Sequence, residues 1–352
     1  MAIRVLIVED SPFMQRLLTA LIGAQDDLKV VGVADDPIAA RESIKALRPD
    51  VITLDVEMPR MDGITFLERL MRLRPMPVVM VSSLTESNAE VTLRALELGA
   101  VDFVTKPRGE GGTEVEQFGA ELVEKLRSAA GAEIQPLPAL PATSSPGAIV
   151  FRSSSLIAIG GSTGGTEAIR ELLVPMPPNA PPIVIVQHMP EMFTRLFARR
   201  LDDLCAIKVS EAVHGERLQQ GHAYIAPGGW HMTLGGKAGM AEARLDQTEP
   251  VNRHRPSVDV LFRSAARVFG ARAAGVILTG MGRDGAEGLG EMKRAGAATF
   301  AQDKASCVVF GMPKAAIDAG YAGHIAPAGR LAARVIEALR LHSGAATKQG
   351  SL

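Results

Sequence analysis

The sequence predicts an α/β protein made of two doubly wound units in series. Three observations carry that reading. Short apolar runs of strand length alternate with amphipathic helical segments through both halves. A single stretch rich in Pro, Ala and Ser interrupts the alternation, and 352 residues suit two medium cores better than one. Strict β/α alternation implies right-handed crossovers and parallel sheets covered on both faces.

In the first unit, the runs Ile3–Val8, Leu28–Val33, Val51–Leu54, Val78–Val81 and Val101–Thr105 read as strands. Helical patterns lie between them at Phe13–Ile22, Pro37–Leu47, Ile64–Leu73 and Glu90–Leu98. Val115, Phe118, Leu122 and Leu126 share one helical face and close the series. Five such units make a five-stranded, flavodoxin-like domain, expected over residues 1–128. Residues 129–152 are too rich in Pro, Ala and Ser for a core element and read as an extended linker.

The second unit, 153–342, is expected to be mostly parallel. Its strands are read at Leu156–Ile159, Ile183–Gln187, Ala223–Ala226, Met232–Leu234 and Gly275–Leu278. Its helices are read at Thr166–Leu173, Phe193–Arg200, Val258–Phe269, Glu287–Ala295 and Leu331–Leu341. The segment Ala223–Leu245 reads as a small β-hairpin insert, and the polar tail 343–352 as disordered.

Composition narrows the function classes. Thirty-eight basic side chains against 39 acidic ones do not suggest nucleic-acid binding, which normally needs a basic face. Cys205 and Cys307 are far apart and lack metal-ligand spacing, so neither a disulfide framework nor a thiolate metal site is expected. The run before Asp10 is neither a signal peptide nor a membrane span. A cytoplasmic monomer, with no membrane insertion of its own, is the expectation.

Ligands of a parallel sheet bind beyond the carboxyl ends of its strands. In the first unit those ends carry Glu9 and Asp10, Asp55, Ser82 and Lys106. A wet strand end explains any one of them, but not the whole set at one edge. Three converging carboxylates need a cation, and an all-oxygen set suits Mg²⁺. A carboxylate so neutralised is a plausible phosphoryl acceptor, with Lys106 and the Ser82 hydroxyl as partners for phosphoryl oxygens. Glu9-Asp10-Ser11, Leu54-Asp55-Val56-Glu57-Met58-Pro59, Met61-Asp62-Gly63, Val81-Ser82-Ser83 and Val104-Thr105-Lys106-Pro107 resemble response-regulator receiver domains. The resemblance implies phosphorylation of Asp55, Mg²⁺ held by Glu9, Asp10, Asp55 and the Val56 carbonyl, and a switch relayed by Ser82 and Phe103.

The second unit opens with Gly160-Gly161-Ser162-Thr163-Gly164-Gly165 between a strand and a helix. A dinucleotide site would want Gly-x-Gly-x-x-Gly and an acid after the next strand, whereas Ser162 and Gln187-His188 stand there. A Walker loop would need Gly-Lys-Ser/Thr. The run does match Gly-x-Ser-x-Gly, in which small neighbours let a serine sit on a tight turn and backbone N–H groups, such as that of Thr163, face an oxyanion. His188 follows the strand at 183–187, and Asp284 follows the strand near 275–278. Either alone has an ordinary reading, a structural histidine or a helix cap. A serine, a base and its orienting acid at three strand ends of one sheet form a candidate triad. His214, His222, His231, His254, His324 and His342 are read as including several structural histidines.

The chain order Ser, His, Asp differs from that of α/β-hydrolases. The segments Ile159–Gly165, Gln187-His188-Met189-Pro190, Ala223–Gly229, Asn252–Asp259 and Leu278–Gly285 resemble instead the catalytic domain of chemotaxis protein-glutamate methylesterases, the CheB family. With the first unit, the likeness spans Ile3 to about Leu341. It implies hydrolysis of glutamate γ-methyl esters, and deamidation of glutamines, on methyl-accepting chemoreceptors, with no cofactor for that reaction. It also implies an oxyanion donor at Met281 and a chemotaxis histidine kinase as phosphodonor. The basic segment Asn252–Arg255 reads either as a solvated helix entrance or, through Arg253 and Arg255, as a contact for acidic receptor helices. A switch fused to a hydrolase further predicts that the unphosphorylated first domain covers the serine. The rival classes are a DNA-binding response regulator, which needs a basic helix-turn-helix, and a nucleotide-binding output domain without hydrolase activity.

Overall fold

A computed structural model describes residues 2–58, 62–83, 85–107, 112–132 and 149–341. Most of the linker and the tail read from the sequence lie outside the described residues. The first sheet consists of β1 (Ile3–Val8), β2 (Leu28–Ala34), β3 (Val51–Asp55), β4 (Val78–Ser82) and β5 (Asp102–Thr105), in the order β2-β1-β3-β4-β5. All neighbours are parallel, which is the flavodoxin-like arrangement. Five helices cover the sheet: α1 (Pro12–Gly23), α2 (Pro37–Leu47), α3 (Gly63–Leu73), α4 (Glu86–Glu97) and α5 (Thr113–Ala130). Ser11, Asp36, Asp62 and Thr85 cap α1 to α4 through their side-chain oxygens.

The second body is a seven-stranded parallel sheet. Its strands are β6 (Leu156–Gly161), β7 (Ile183–Gln187), β8 (Lys208–Glu211), β9 (His222–Ile225), β12 (Ala273–Ile277), β13 (Ala298–Gln302) and β14 (His324–Ala326). Helices α6 (Gly165–Leu173), α7 (Glu191–Leu204), α8 (Val258–Phe269), α9 (Ala286–Arg294), α10 (Met312–Asp318) and α11 (Ala328–Leu339) complete it. The hairpin is β10 (His231–Gly235) with β11 (Glu242–Asp246), paired only with each other. The sequence pattern grouped β9 with that insert. All four of its residues are buried, and it lies inside the main sheet between β7 and β8. Periodicity does not separate β8, β13, β14 and α10 from their surroundings, because they are short or partly polar.

The strand order β14-β13-β12-β6-β7-β9-β8 reverses direction at β6, because the chain leaves β6 to one side and returns through β12 on the other. Such a switch point opens a crevice at the carboxyl ends of the two strands. β6 is buried at every position, as a strand covered on both faces must be.

Gly228, in the loop after β9, presses on the turn after β7. A Cβ there would collide with Glu191 N and the Pro190 carbonyl carbon and lie 2.5 Å from Met189 O, all backbone. Gly228→Ala should therefore lower unfolding stability by about 1–3 kcal/mol through overpacking, measured as a reduced midpoint in urea with unchanged slope.

Candidate active site and phosphoacceptor pocket

In the first domain, Glu9, Asp10 and Asp55 each bring a carboxylate oxygen within 4.8 Å of the others. Lys106 Nζ lies 2.9 Å from Asp55 Oδ2 and 3.0 Å from Glu9 Oε2. One ammonium does not balance three carboxylates. Burial and the neighbouring Asp55 push the Glu9 carboxyl up to about 7 against the pull of Lys106, and burial likewise raises Asp55. A pocket in which carboxylates resist ionisation is one a divalent cation would stabilise, so the donor set fits the expected metal. The Val56 carbonyl, expected among the ligands, accepts the Gly63 N–H at 3.1 Å and keeps a second lone pair. The Ser82 hydroxyl is turned toward α4, where it accepts from Thr92 Oγ1 at 2.9 Å.

In the second domain, the register fixes where the candidate triad falls. Gly161 of β6 pairs with Gln187 of β7, so Ser162 and His188 are the next residues of adjacent strands. His188 N donates to Gly161 O at 3.2 Å. On the other side of β6, Ser162 N donates to Thr279 O at 3.0 Å, which holds the loop after β12 against the serine turn. His188 from one flank and Asp284 from the other meet across the end of β6, with His188 Nε2 2.9 Å from Asp284 Oδ2. His188 Nδ1 is buried and has no partner among the described residues, and no hydrogen bond there joins it to the Ser162 hydroxyl. Such bonds commonly tighten only when substrate binds.

The serine turn is pinned from below. Gln187 Nε2 donates to Ser162 O at 2.7 Å, and Thr279 Oγ1 donates to Thr163 O at 3.0 Å. Gly164 has φ +75°, a left-handed conformation that favours glycine, and α6 starts at the next residue. The N–H groups of Thr163 and Met281 donate to no acceptor among the described residues, as an oxyanion site would require.

Asp284 is held more firmly than a lone cap would be. Its Oδ2 accepts from Val258 N at 2.7 Å, besides the contact with His188. Its Oδ1 accepts from Asn252 Nδ2 and Ser257 Oγ, both at 2.7 Å, and from Asp259 N at 3.3 Å. The carboxylate thus sits at the N-terminus of α8, where backbone N–H groups and the helix dipole favour negative charge. Burial opposes ionisation, but the bonds from His188, Asn252 and Ser257 outweigh it and hold the group well below the usual carboxylate range.

His254 stacks flat on His188, with ring centroids 3.7 Å apart and planes 10° from parallel. Burial and the adjacent His188 lower its pKa to about 3, so this ring stays neutral. In the sequence His254 is one of several histidines with structural readings. Its position in a turn, remote along the chain from His188, leaves no periodic signal. Arg253 is exposed at the tip of that turn. Arg255 donates from Nη1 to the carbonyls of Gln247 and Thr248, each at 3.0 Å, so at least part of its guanidinium holds the preceding loop.

The first domain lies over this site. Thr163 Oγ1 donates to Asp102 Oδ2, Arg200 of α7 pairs with Glu97 of α4, and the Phe103 ring packs 4.2 Å from that of Phe193. Ser128 of α5 touches Met281. Asp102 and Phe193 escape sequence reasoning, since a contact between domains has no signature in either one.

Fold and sites together define a class: a response-regulator-type α/β domain docked on a Gly-x-Ser-x-Gly α/β domain. Comparison with known proteins agrees. The family model described as CheB methylesterase matches residues 157–335, and that of the response regulator receiver domain matches residues 5–112. A protein-glutamate methylesterase/protein-glutamine glutaminase of Burkholderia lata is 57% identical over 347 residues, covering 96% of each chain. One from Geobacter metallireducens is 55% identical over 344 residues, covering 95% of each. The Thermotoga maritima CheB methylesterase catalytic domain is 42% identical with a TM-score of 0.51, covering 53% of this chain and 99% of its own. The chain belongs to the CheB methylesterase family, and it carries the receiver domain as well.

Because the Asp284 pKa is depressed on folding, its contribution to stability is present above the unfolded carboxylate pKa near 4 and is lost as pH falls below it. Asp284→Ala should cost about 3 kcal/mol at pH 7, since it leaves buried donors unpaired. The difference from the parent chain should shrink below pH 4, as read from denaturant melts across pH.

Proposed function

We propose that this chain is a phosphorylation-activated protein-glutamate methylesterase and protein-glutamine glutaminase. It would act on the cytoplasmic domains of methyl-accepting chemoreceptors and so contribute to adaptation in chemotaxis. The observation that carries the reading is the His188–Asp284 pair closed across the end of β6, the strand that Ser162 directly follows. In the reaction, Ser162 Oγ attacks the γ-carbonyl of a methylated glutamate while His188 takes its proton through Nδ1, the nitrogen not committed to Asp284. Asp284 keeps the imidazole oriented and stabilises its cationic form. The N–H groups of Thr163 and Met281, which have no acceptor among the described residues, receive the oxyanion. The proton returns to the leaving methoxide, methanol departs, and water hydrolyses the glutamyl ester on Ser162 by the same route. Deamidation differs only in releasing ammonia. Arg253, exposed beside the site, suits contact with acidic helices.

The receiver supplies the control. Glu9, Asp10, Asp55 and the Val56 carbonyl would hold Mg²⁺, which when bound offsets the carboxylate charge and favours phosphate at Asp55. A phosphohistidine of the chemotaxis kinase is the donor, and Lys106 and Ser82 would take phosphoryl oxygens. Ser82 would leave Thr92 to do so, and Phe103, seated against Phe193, would change its packing. Asp102, one residue before Phe103, accepts the Thr163 hydroxyl, so movement of β5 would release the residue beside the nucleophile. This is a cytoplasmic reading. Among the described residues, no helix is long and apolar enough to cross a membrane.

Ser162→Ala should lower methanol release from methylated receptor membranes by roughly 10³-fold or more. Retention of near-normal turnover would rule the nucleophile out. Asp102→Ala should raise the rate without phosphodonor by between roughly 5- and 100-fold, the range of a typical coupling energy, and should blunt stimulation by a small phosphodonor. An unchanged basal rate would count against the docked receiver as the brake.

A further inference from the structure

We infer that Asn252 is a positioning residue for the acid of the triad: its side-chain amide fixes Asp284 beneath His188. The inference rests on the Ser162–His188–Asp284 reading above. Asn252 and Arg253 have φ of +54° and +69° and form a two-residue turn, across which Val251 and His254 exchange hydrogen bonds of 3.1 and 2.9 Å. Positive φ at both centres is the pattern of a type I′ turn, which glycine and asparagine tolerate and arginine does not favour. Non-glycine residues held in that region carry strain, and such strain collects at functional sites.

The amide spans two buried carboxylates. Nδ2 lies 2.7 Å from Asp284 Oδ1 and 2.8 Å from Asp259 Oδ2, and these oxygens belong to residues 1% and 3% exposed. The two acids cap each other's helices. Asp284, just before α9, accepts from the first N–H groups of α8, while Asp259 of α8 accepts from Gly288 N of α9 at 2.6 Å. Two carboxylates so close repel, and burial together with Asp284 raises the Asp259 pKa. A neutral donor bridging both relieves that repulsion without adding a charge beside His188.

The other donors to Asp284, apart from His188, come from one contiguous stretch, Ser257 to Asp259, at the start of α8. Among the described residues, Asn252 alone ties the acid to the turn that carries His254, the ring stacked on the base. Without the amide, Asp284 would still cap α8, but the turn would lose its anchor and the acid one of the contacts that set its plane. A misplacement of the order of an ångström in such a pair costs about 100-fold in rate.

Asn252→Gly separates the two roles of the residue, because glycine accepts the left-handed turn at least as well but has no amide. In the full-length chain with a small phosphodonor, kcat for methanol release should fall roughly 10–100-fold with KM within about twofold. The downfield ¹H NMR resonance of the His188 Nε2–H bonded to Asp284 should shift or broaden, which a purely structural loss would not produce in a protein of unchanged melting temperature. Asn252→Asp, which keeps a turn-forming residue but replaces the donor with a third carboxylate, should fare no better. Wild-type kcat and an unmoved resonance in Asn252→Gly would overturn the inference. Ser162→Ala, assayed alongside, keeps the two failures apart: an active Ser162→Ala sinks the triad itself, whereas an inactive one beside a normal Asn252→Gly sinks only the role of Asn252.

Discussion

The carboxylate of Asp284 is the constraint on which the catalytic half depends. It receives two backbone N–H groups at the start of α8, a serine hydroxyl, an asparagine amide and an imidazole N–H. A carboxylate offers about four lone-pair sites, so this one is saturated. Saturation keeps the group ionised despite burial and leaves it little freedom to turn. The imidazole it holds is therefore fixed over the end of β6, at the switch point where the sheet opens. Two glutamines from neighbouring strands and a threonine from the loop after β12 stabilise the ground beneath: Gln187 bonds the Ser162 carbonyl, and Gln302 accepts the Thr279 N–H at 2.8 Å.

One short strand joins the two halves chemically. β5 carries Asp102, which meets Thr163 beside Ser162, then Phe103, which packs on Phe193. Lys106, just past its end, contacts Glu9 and Asp55. The acidic pocket and the serine turn are thus linked through five consecutive residues. No long relay is needed for a charge change at Asp55 to be felt at the serine, only a two-position element whose contacts differ between states. Within the first domain, Lys125 of α5 holds Asp102 in place by pairing with it at 3.1 Å, and it also pairs with Glu121 at 2.7 Å.

Much of this architecture is legible in the sequence because its signals are periodic or lie at strand ends. Continuous apolar runs mark the buried strands, and α2 and α8 have the very limits that their periodicity gives. The acids of the first domain, and the serine, histidine and aspartate of the second, stand just past apolar runs, where a parallel sheet opens to its ligands. The rest is not legible for physical reasons. β13 and β14 mix polar and apolar residues in short segments, and β9 resembles a hairpin arm until its neighbours are known. Asn252, Ser257 and His254 act through contacts between residues distant along the chain or through backbone conformation, and Asp102 through a surface formed only when two domains dock. Arg255, read by its charge as a receptor contact, also donates from Nη1 to the loop carbonyls of Gln247 and Thr248, which its charge does not reveal.

On this view Ser162 is an activated nucleophile whose exposure the receiver governs. Covalent mapping with a fluorophosphonate probe tests that most directly, on the full chain with and without a small phosphodonor. A single adduct is expected on the peptide containing Ser162, formed faster when the phosphodonor is present and abolished in His188→Ala. An adduct on another residue, or equal labelling of Ser162 under both conditions, would contradict it.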